Sequence, residues 1–300
     1  MSINNIFYRL VYSLLGRTHI LDLISDKAYL KLLYRVFMQK KLNLVNPVTF
    51  NEKLQWLKLN DHNPLYTTLV DKYAVKDWVS KTYSPDIVIP TLGIWDRVSD
   101  IEWDKLPEQF VLKTTHSGDS LGVVICKDKT HFDKTAAIKN LQKSLEKDYY
   151  KAGREWPYKN VRRRIIAEKF MEDEKFHELR DYKFFCFDGQ VKALFIATGR
   201  QTGNLTFDYF DDQFRKLPFK QSHPTSTEDF EVPENFEEMK RIASKLSKGL
   251  PHVRVDLYDV NGKIYFGEMT FYHYGGCVKF DPECWDKTFG DWLTLPKKTK

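Results

Sequence analysis

The stretch VRVDLYDVNGKIYFGEMTFYHYGG, residues 253–276, decides how this chain folds. Apolar and aromatic runs flank Asp259-Val260-Asn261-Gly262, a strong turn signal, so the segment predicts a β-hairpin. Arg254 and Asp256 alternate with Val253, Val255 and Leu257 and therefore share one face of the first strand. On the return strand Glu268 and Thr270 share a face, opposite Met269 and Phe271. Whether the two faces coincide is a matter of parity. A two-residue Asn-Gly loop pairs Asp256 with Gly267 and sends Glu268 to the far side. A three-residue loop with Gly262 at positive φ pairs Asp259 with Lys263 and brings Arg254, Asp256 and Glu268 together, and this is the arrangement expected. Two carboxylates converging beside an arginine repel each other unless a cation lies between them. Oxygen-only ligands of this kind suit Mg²⁺ or Mn²⁺ carrying phosphate oxygens. An exposed hairpin with a solvated charged face would show the same pattern.

Upstream, residues 234–250 predict a helix with Phe236, Met239, Ala243 and Leu246 inward. Residues 181–187 and 191–198 pair around Asp188-Gly189, and Asp181 and Lys183 share a face with Phe185, a charged pair in a hydrophobic strand. The polar stretch 199–233, with one strand at 206–210, suits a flap facing a substrate. Further back, Phe110-Val111-Leu112-Lys113, the loop 114–122 and Val123-Val124-Ile125-Cys126 read as strand, small-residue loop and strand. This is no Walker loop, which runs from strand to helix and ends in Gly-Lys-Ser/Thr. Its two glycines and several hydroxyls can still wrap phosphates with backbone N–H groups, with Lys113 supplying positive charge; a flexible hairpin loop is the plainer alternative. Residues 133–150 predict a helix, and 165–171 a strand behind Arg162-Arg163-Arg164, taken as a solvated basic face.

The first 90 residues are mainly helical. The amphipathic pattern of residues 3–16 suits packing on the protein's own core or peripheral docking on a membrane surface. A second helix spans 27–38 with Asp26 as its cap, and Thr49-Phe50-Asn51-Glu52 is a capping box opening a third, with Leu54 and Leu57 inward. In LVDKYAVKDWVSK, Asp71 caps a helix bearing Lys72 and Lys76, and residues 86–90 read as a short strand. The divisions expected are 1–90, 91–175 and 176–300.

The totals narrow the class. A chain of 300 residues with 42% hydrophobic and 15% aromatic content is globular. A net charge of +6 suits acidic small ligands, and no stacked-aromatic motif points to nucleic acid. Cys126, Cys186, Cys277 and Cys284 have no metal-site spacing and read as buried free thiols in a reducing cytoplasm. No stretch reaches membrane-spanning length, and none reads as a signal peptide.

In order along the chain stand FNEKLQWLKL, LVDKYAVK, FVLKTTHSGDSLGVV, RIIAEKFM, RDYKFFCFDG and VRVDLYDVNGKIYFGEMT. Together, over about residues 50–276, they resemble the ATP-grasp superfamily, and specifically its TupA-like branch of bacterial surface-polysaccharide gene clusters. The resemblance implies an α+β fold, with two α+β subdomains clamping ATP behind the helical N-terminal region. It implies that residues 91–175 hold the nucleotide and 176–300 the metal and substrates. By similarity Lys72 and Lys113 contact the phosphates, and the loop with Ser117, Gly118, Ser120 and Gly122 closes over them. The Glu168 side chain and the backbone of Lys169 and Met171 read the adenine edge. Arg254 and Lys183 face the reacting phosphoryl group, and Asp256, Glu268 and Thr270 hold Mg²⁺ or Mn²⁺. Thr270 stands where the superfamily usually has asparagine, and Gly275-Gly276 resembles its substrate loop, whose N–H groups stabilise an oxyanion.

The activity implied is a carboxylate–amine ligase joining an anionic saccharide, or an amino-acid unit, to an amine, in the cytoplasm or at the inner face of the membrane. A kinase or glycosyltransferase on the same scaffold, or a nucleotide-binding protein without catalysis, are the other readings. His116 and His273 are candidate acid–base groups or structural histidines.

Overall fold

The computed structural model describes residues 20–118, 120–199 and 203–298; the helix expected over residues 3–16 lies outside them. Two antiparallel sheets carry the architecture. The smaller contains β1 (Thr91–Trp95), β2 (Phe110–Thr114), β3 (Val123–Cys126) and β4 (Ile165–Lys169) in the order β1-β4-β2-β3. The larger contains β5 (Asp181–Phe187), β6 (Gln190–Thr198), β7 (Thr206–Asp211), β8 (Val253–Val260) and β9 (Lys263–Thr270) in the order β7-β6-β5-β8-β9.

Strand alternation gives each sheet an apolar and a charged side. In the smaller sheet Phe110, Leu112, Ile165 and Ala167 join Leu141 of α5 (Lys134–Glu146) in a compact core. Their neighbours Val111, Lys113, Ile166 and Glu168 lie on the other face, with Lys113 opposite Ile166 and Val111 opposite Glu168. In the larger sheet Phe184 stacks on Phe236 of α7 (Phe236–Ser247), and Cys186 reaches Ala243. Its reverse face is apolar at one end, where Phe185 meets Phe50 of α2 (Phe50–Asn60) and Phe289 of α8 (Cys284–Trp292). The rest of that face carries Lys183, Asp256 and Glu268, which stand opposite one another across β5, β8 and β9.

The β8–β9 hairpin corrects the expected loop. Val260 pairs with Lys263, so the loop is the two residues Asn261 and Gly262, at φ 52° and 75°. Parity is restored further along by a β-bulge: Leu257 pairs with Phe266, but Asp256 pairs with Glu268, leaving Gly267 as the extra residue. A Cβ at Gly267 would stand 3.0 Å from the Tyr258 ring and 3.1 Å from the Asp256 carbonyl, so glycine suits the bulge. Arg254, Asp256, Glu268 and Thr270 therefore share one face, by a different route from that expected.

Other boundaries shift for local reasons. Ser25, not Asp26, caps α1 (Asp26–Met38), because its hydroxyl accepts from Ala28 N. The Thr49–Glu52 capping box forms as expected, and Leu54 and Leu57 are buried. The segment 65–82 divides into α3 (Leu65–Val70) and α4 (Ala74–Thr82); Asp71 accepts from Tyr73 N and Ala74 N, while Lys72 lies in the turn and only Lys76 on the helix. The strand expected at 86–90 is a 3-10 turn, Pro85–Ile87, with Val88 bridged to Phe266, and β1 follows it. The helix expected over 133–150 stops at Glu146, and α6 (Tyr149–Gly153) follows. Lys147 adopts extended backbone between them. Cys126 and Cys186 are buried free thiols, but Cys277 is half-buried and Cys284 exposed. No described helix is long and apolar enough to cross a membrane.

Candidate nucleotide and metal site

The charged faces of the two sheets supply the candidate site. On the smaller sheet the Glu168 carboxylate lies between two ammonium groups, Lys76 Nζ at 2.5 Å and Lys113 Nζ at 2.6 Å. The turn before α4 is fastened to the same sheet: Lys72 N donates to Thr115 O at 3.1 Å, and Arg164 pairs with Asp71 at 2.9 Å. Lys72 is thereby delivered to the facing sheet, where its ammonium lies 3.5 Å from Glu268. Arg162 and Arg163 are exposed, but Arg164 is tied down and is not part of a solvated face.

The larger sheet contributes a buried cluster. Arg254 grips Asp256 with two hydrogen bonds of 2.7 Å, and Lys183 pairs with the same carboxylate and, at 3.3 Å, with Asp181. The Arg254 guanidinium also donates to Thr270 Oγ1 at 3.0 Å and approaches Glu268 at 3.4 Å. Burial pushes the Asp256 carboxyl up, against the pull of Arg254 and Lys183. Burial acts the same way on Glu268, but Lys72, Lys183 and Arg254 outweigh it and hold that carboxyl well below its usual range.

His273 joins the cluster from behind. Arg254 donates to its Nδ1 at 3.0 Å, so its Nε2–H donates to Gln221 at 2.9 Å, and burial followed by Arg254 pushes its pKa far down. It is a neutral histidine that orients Arg254. His116, also lowered by burial, bonds Lys147 O at 3.2 Å and takes a structural place.

Expected loop residues are placed less simply. Ser117 is buried, whereas Gly118 and Ser120 are exposed. Gly122 has a packing reason, since a Cβ there would stand 2.1 Å from Thr114 Oγ1 and 2.5 Å from Ser144 Oγ, whereas at Gly118 the near atom, at 2.5 Å, is the movable tip of Tyr149. Lys169 N donates to Pro90 O at 3.1 Å, so that N–H is already engaged, and Met171 lies beyond the end of β4. Both oxygens of Glu168 are committed to lysines, which corrects the expectation that its side chain reads adenine directly. Gly275 N donates to Tyr272 O at 2.7 Å, so that N–H is not free for an oxyanion. Instead the Gly275 carbonyl accepts from Gln55 and Lys58 of α2, both at 2.8 Å.

The profile of the TupA-like ATP-grasp family matches residues 52–294. The chain belongs to that family. No curated protein matches it. Among solved structures it is similar to the D-alanine–D-alanine ligase of Bacillus anthracis, at 18% identity and TM-score 0.41, covering 73% of this chain and 59% of that one. The D-alanine–D-alanine ligase of Helicobacter pylori gives 13% and 0.44 over 82% of this chain and 69% of its own. An N5-carboxyaminoimidazole ribonucleotide synthetase in complex with ADP gives 14% and 0.44 over 84% and 60%. At that distance none says what this chain acts on.

In this TupA-like ATP-grasp chain the ATP-clamping fold thus has two antiparallel sheets whose charged faces carry the phosphate and metal candidates. Among the described residues no three His, Cys, Asp or Glu side chains gather as a self-sufficient metal cage. Glu268 and the Thr270 hydroxyl are hard oxygen donors that fit a Mg²⁺ ion, whereas Asp256 opposite Glu268 has both oxygens held by Arg254 and Lys183 and would join such an ion only by releasing one of them.

Sequence reasoning missed Lys76, which reads as a solvent-facing helix lysine until β4 brings Glu168 to it. It also missed Gln55 and Lys58, although polar residues beside Leu54 on the inward side of a helix were a usable signal.

The candidate site carries a pH consequence. Burial raises the Glu168 carboxyl, but Lys113 and Lys76 together bring it from 4.5 down to about 2. The folded state thus takes up this proton later than the unfolded chain does. The resulting stabilisation is complete above about pH 4.5 and is lost as pH falls towards 2. It amounts to at most about 3 kcal/mol. Urea unfolding between pH 6 and 2 is expected to give a slope about one proton shallower in Glu168→Gln (about 1 by linkage). An unchanged slope would remove Glu168 from the account of acid lability.

Proposed function

We propose that this chain is an ATP-dependent carboxylate–amine ligase working through an acyl phosphate, with a uronic acid or amino-acid unit of a bacterial surface polysaccharide as its carboxylate. The observation that carries the reading is the pairing of two faces: Lys76 and Lys113 on Glu168, and Asp256 with Glu268 held by Arg254, Lys183 and Lys72. Such a site handles charge, through lysines, an arginine and carboxylates. That is what phosphoryl transfer requires, since positioning and charge cancellation do most of the work.

A carboxylate does not acylate an amine at neutral pH because its oxygen is a poor leaving group. Attack of a carboxylate oxygen on the γ-phosphorus releases ADP and gives an acyl phosphate. The amine, having shed its ammonium proton, then attacks the acyl carbon, and phosphate leaves with the former carboxylate oxygen. Lys72 and Lys113 would bind the phosphates, with Ser117, Gly118, Ser120 and Gly122 closing over them. The carbonyl of Lys169 and the backbone of Met171 would meet the adenine edge. Arg254 and Lys183 would counter charge developing on the transferred group. Asp256, Glu268 and Thr270 would hold Mg²⁺, which supplies Lewis-acid polarisation of phosphate oxygens. On this reading residues 91–175 close over the nucleotide, residues 176–300 present metal and substrates, and the ATP consumed places the work in the cytoplasm. The net charge of +6 favours an anionic saccharide.

The test is oxygen transfer. With ¹⁸O in the substrate carboxylate, the ligase is expected to deliver label into released phosphate whenever amide forms. Amide without labelled phosphate would rule out the acyl phosphate. Phosphate retained on the product would make the chain a kinase, and consumption of a sugar nucleotide with ATP inert would make it a glycosyltransferase.

A further inference from the structure

The two lysines on Glu168 are not equivalent. Lys76, on α4, donates a second hydrogen bond of 2.7 Å to Ile89 O and is fixed from two sides. Lys113 is the more accessible of the two, its side chain 22% exposed against 12% for Lys76. It lies on the charged face of the smaller sheet, and the charges of Glu268 and Asp181 on the larger sheet also act on it. Glu168 itself is only 7% exposed.

A phosphate arriving between the sheets competes with Glu168 for Lys113. Were Lys113 the sole partner, its departure would leave an unpaired carboxylate in a site closed to water, a strongly unfavourable state. With Lys76 anchored on the other oxygen, Glu168 stays paired when Lys113 leaves. We propose that Lys76 is a positioning residue that holds Glu168 so that Lys113 can transfer to the triphosphate. The proposal rests on the reading of Lys113 as a phosphate ligand. It assigns to the helix lysine a role in nucleotide recognition without contact to the nucleotide.

The experiment is calorimetric binding of ATP with Mg²⁺, and of adenosine, to the full chain and its variants. The ratio of the adenosine Kd to the ATP Kd isolates the share of affinity owed to the phosphates. Lys76→Met is expected to lower this ratio by about tenfold, or about 1.4 kcal/mol, while Lys76→Arg preserves it. The double variant Lys76→Met/Glu168→Gln is expected to recover it, because a neutral amide no longer retains Lys113. Loss of the ratio in Lys76→Met without recovery in the double variant would overturn the proposal. So would an unchanged ratio in Lys76→Met. If Lys76→Met does not fold, Glu168→Gln alone decides: release of Lys113 should raise the ratio, and an unchanged ratio refutes the idea. Lys113→Ala separates the two levels. An unchanged ratio there removes the phosphate reading and this proposal with it, whereas a fall there with none in Lys76→Met removes this proposal only.

Discussion

Asp256→Asn is expected to abolish ATP turnover, by roughly a thousandfold, and also to destabilise the fold by about 3 kcal/mol. The carboxylate is completely buried, accepts two 2.7 Å bonds from Arg254 and pairs with Lys183. An asparagine would offer one acceptor oxygen and turn its NH₂ towards groups that can only donate. Two buried cations would then share one fewer anion, a costlier defect than the loss of a water-exposed metal ligand. The hairpin pattern alone suggests an open charged face and an intact fold after this change; the burial of Asp256 reverses the second half of that expectation. ADP release and urea unfolding read the two effects separately. Turnover at the wild-type rate would remove Asp256 from the site, and an unchanged unfolding midpoint would refute the buried-cluster account of its stability.

Lys113→Ala is expected to weaken ATP binding by about 1.5–3 kcal/mol, or roughly 10–150-fold, the range for a hydrogen bond to a charged group. Stability should fall far less, because Glu168 keeps Lys76 at 2.5 Å. Titration calorimetry with ATP and Mg²⁺ reads the first, thermal unfolding the second. A variant that binds ATP as tightly as the wild type would show that the 114–122 loop and the end of β2 do not meet the phosphates.

Much of this was legible because strand periodicity is a local property. A lysine ending FVLK and a charged pair within RDYKFFCF mark faces that cannot both be core, and the sheets do divide that way. Helix limits were legible where a cap was encoded, as at Thr49 and Glu52, and wrong where two candidate caps adjoin, as at Ser25 and Asp26. What escaped was tertiary. Nothing in AVKDW tells that Lys76 meets Glu168, because its partner lies on β4, far along the chain. The grip of Gln55 and Lys58 on Gly275 joins residues more than two hundred positions apart. The hairpin loop was misjudged although Gly267, a glycine inside a strand, is a recognised sign of a bulge.

That bulge settles more than a face. With a three-residue loop and a regular ladder, the same sequence would set Arg254 directly across from Glu268: opposite charges in register, a cross-strand salt bridge that satisfies itself. In the observed register Arg254 stands across from Thr270, and Asp256 across from Glu268. Like charges facing each other across a ladder are unfavourable, and here cations reach in from neighbouring elements, Lys183 on β5 and Lys72 in the turn before α4, to compensate them. A slide of two residues thus separates a hairpin that is electrically closed from one that remains acidic at its centre, and Gly267 is the residue that holds the chain in the second state.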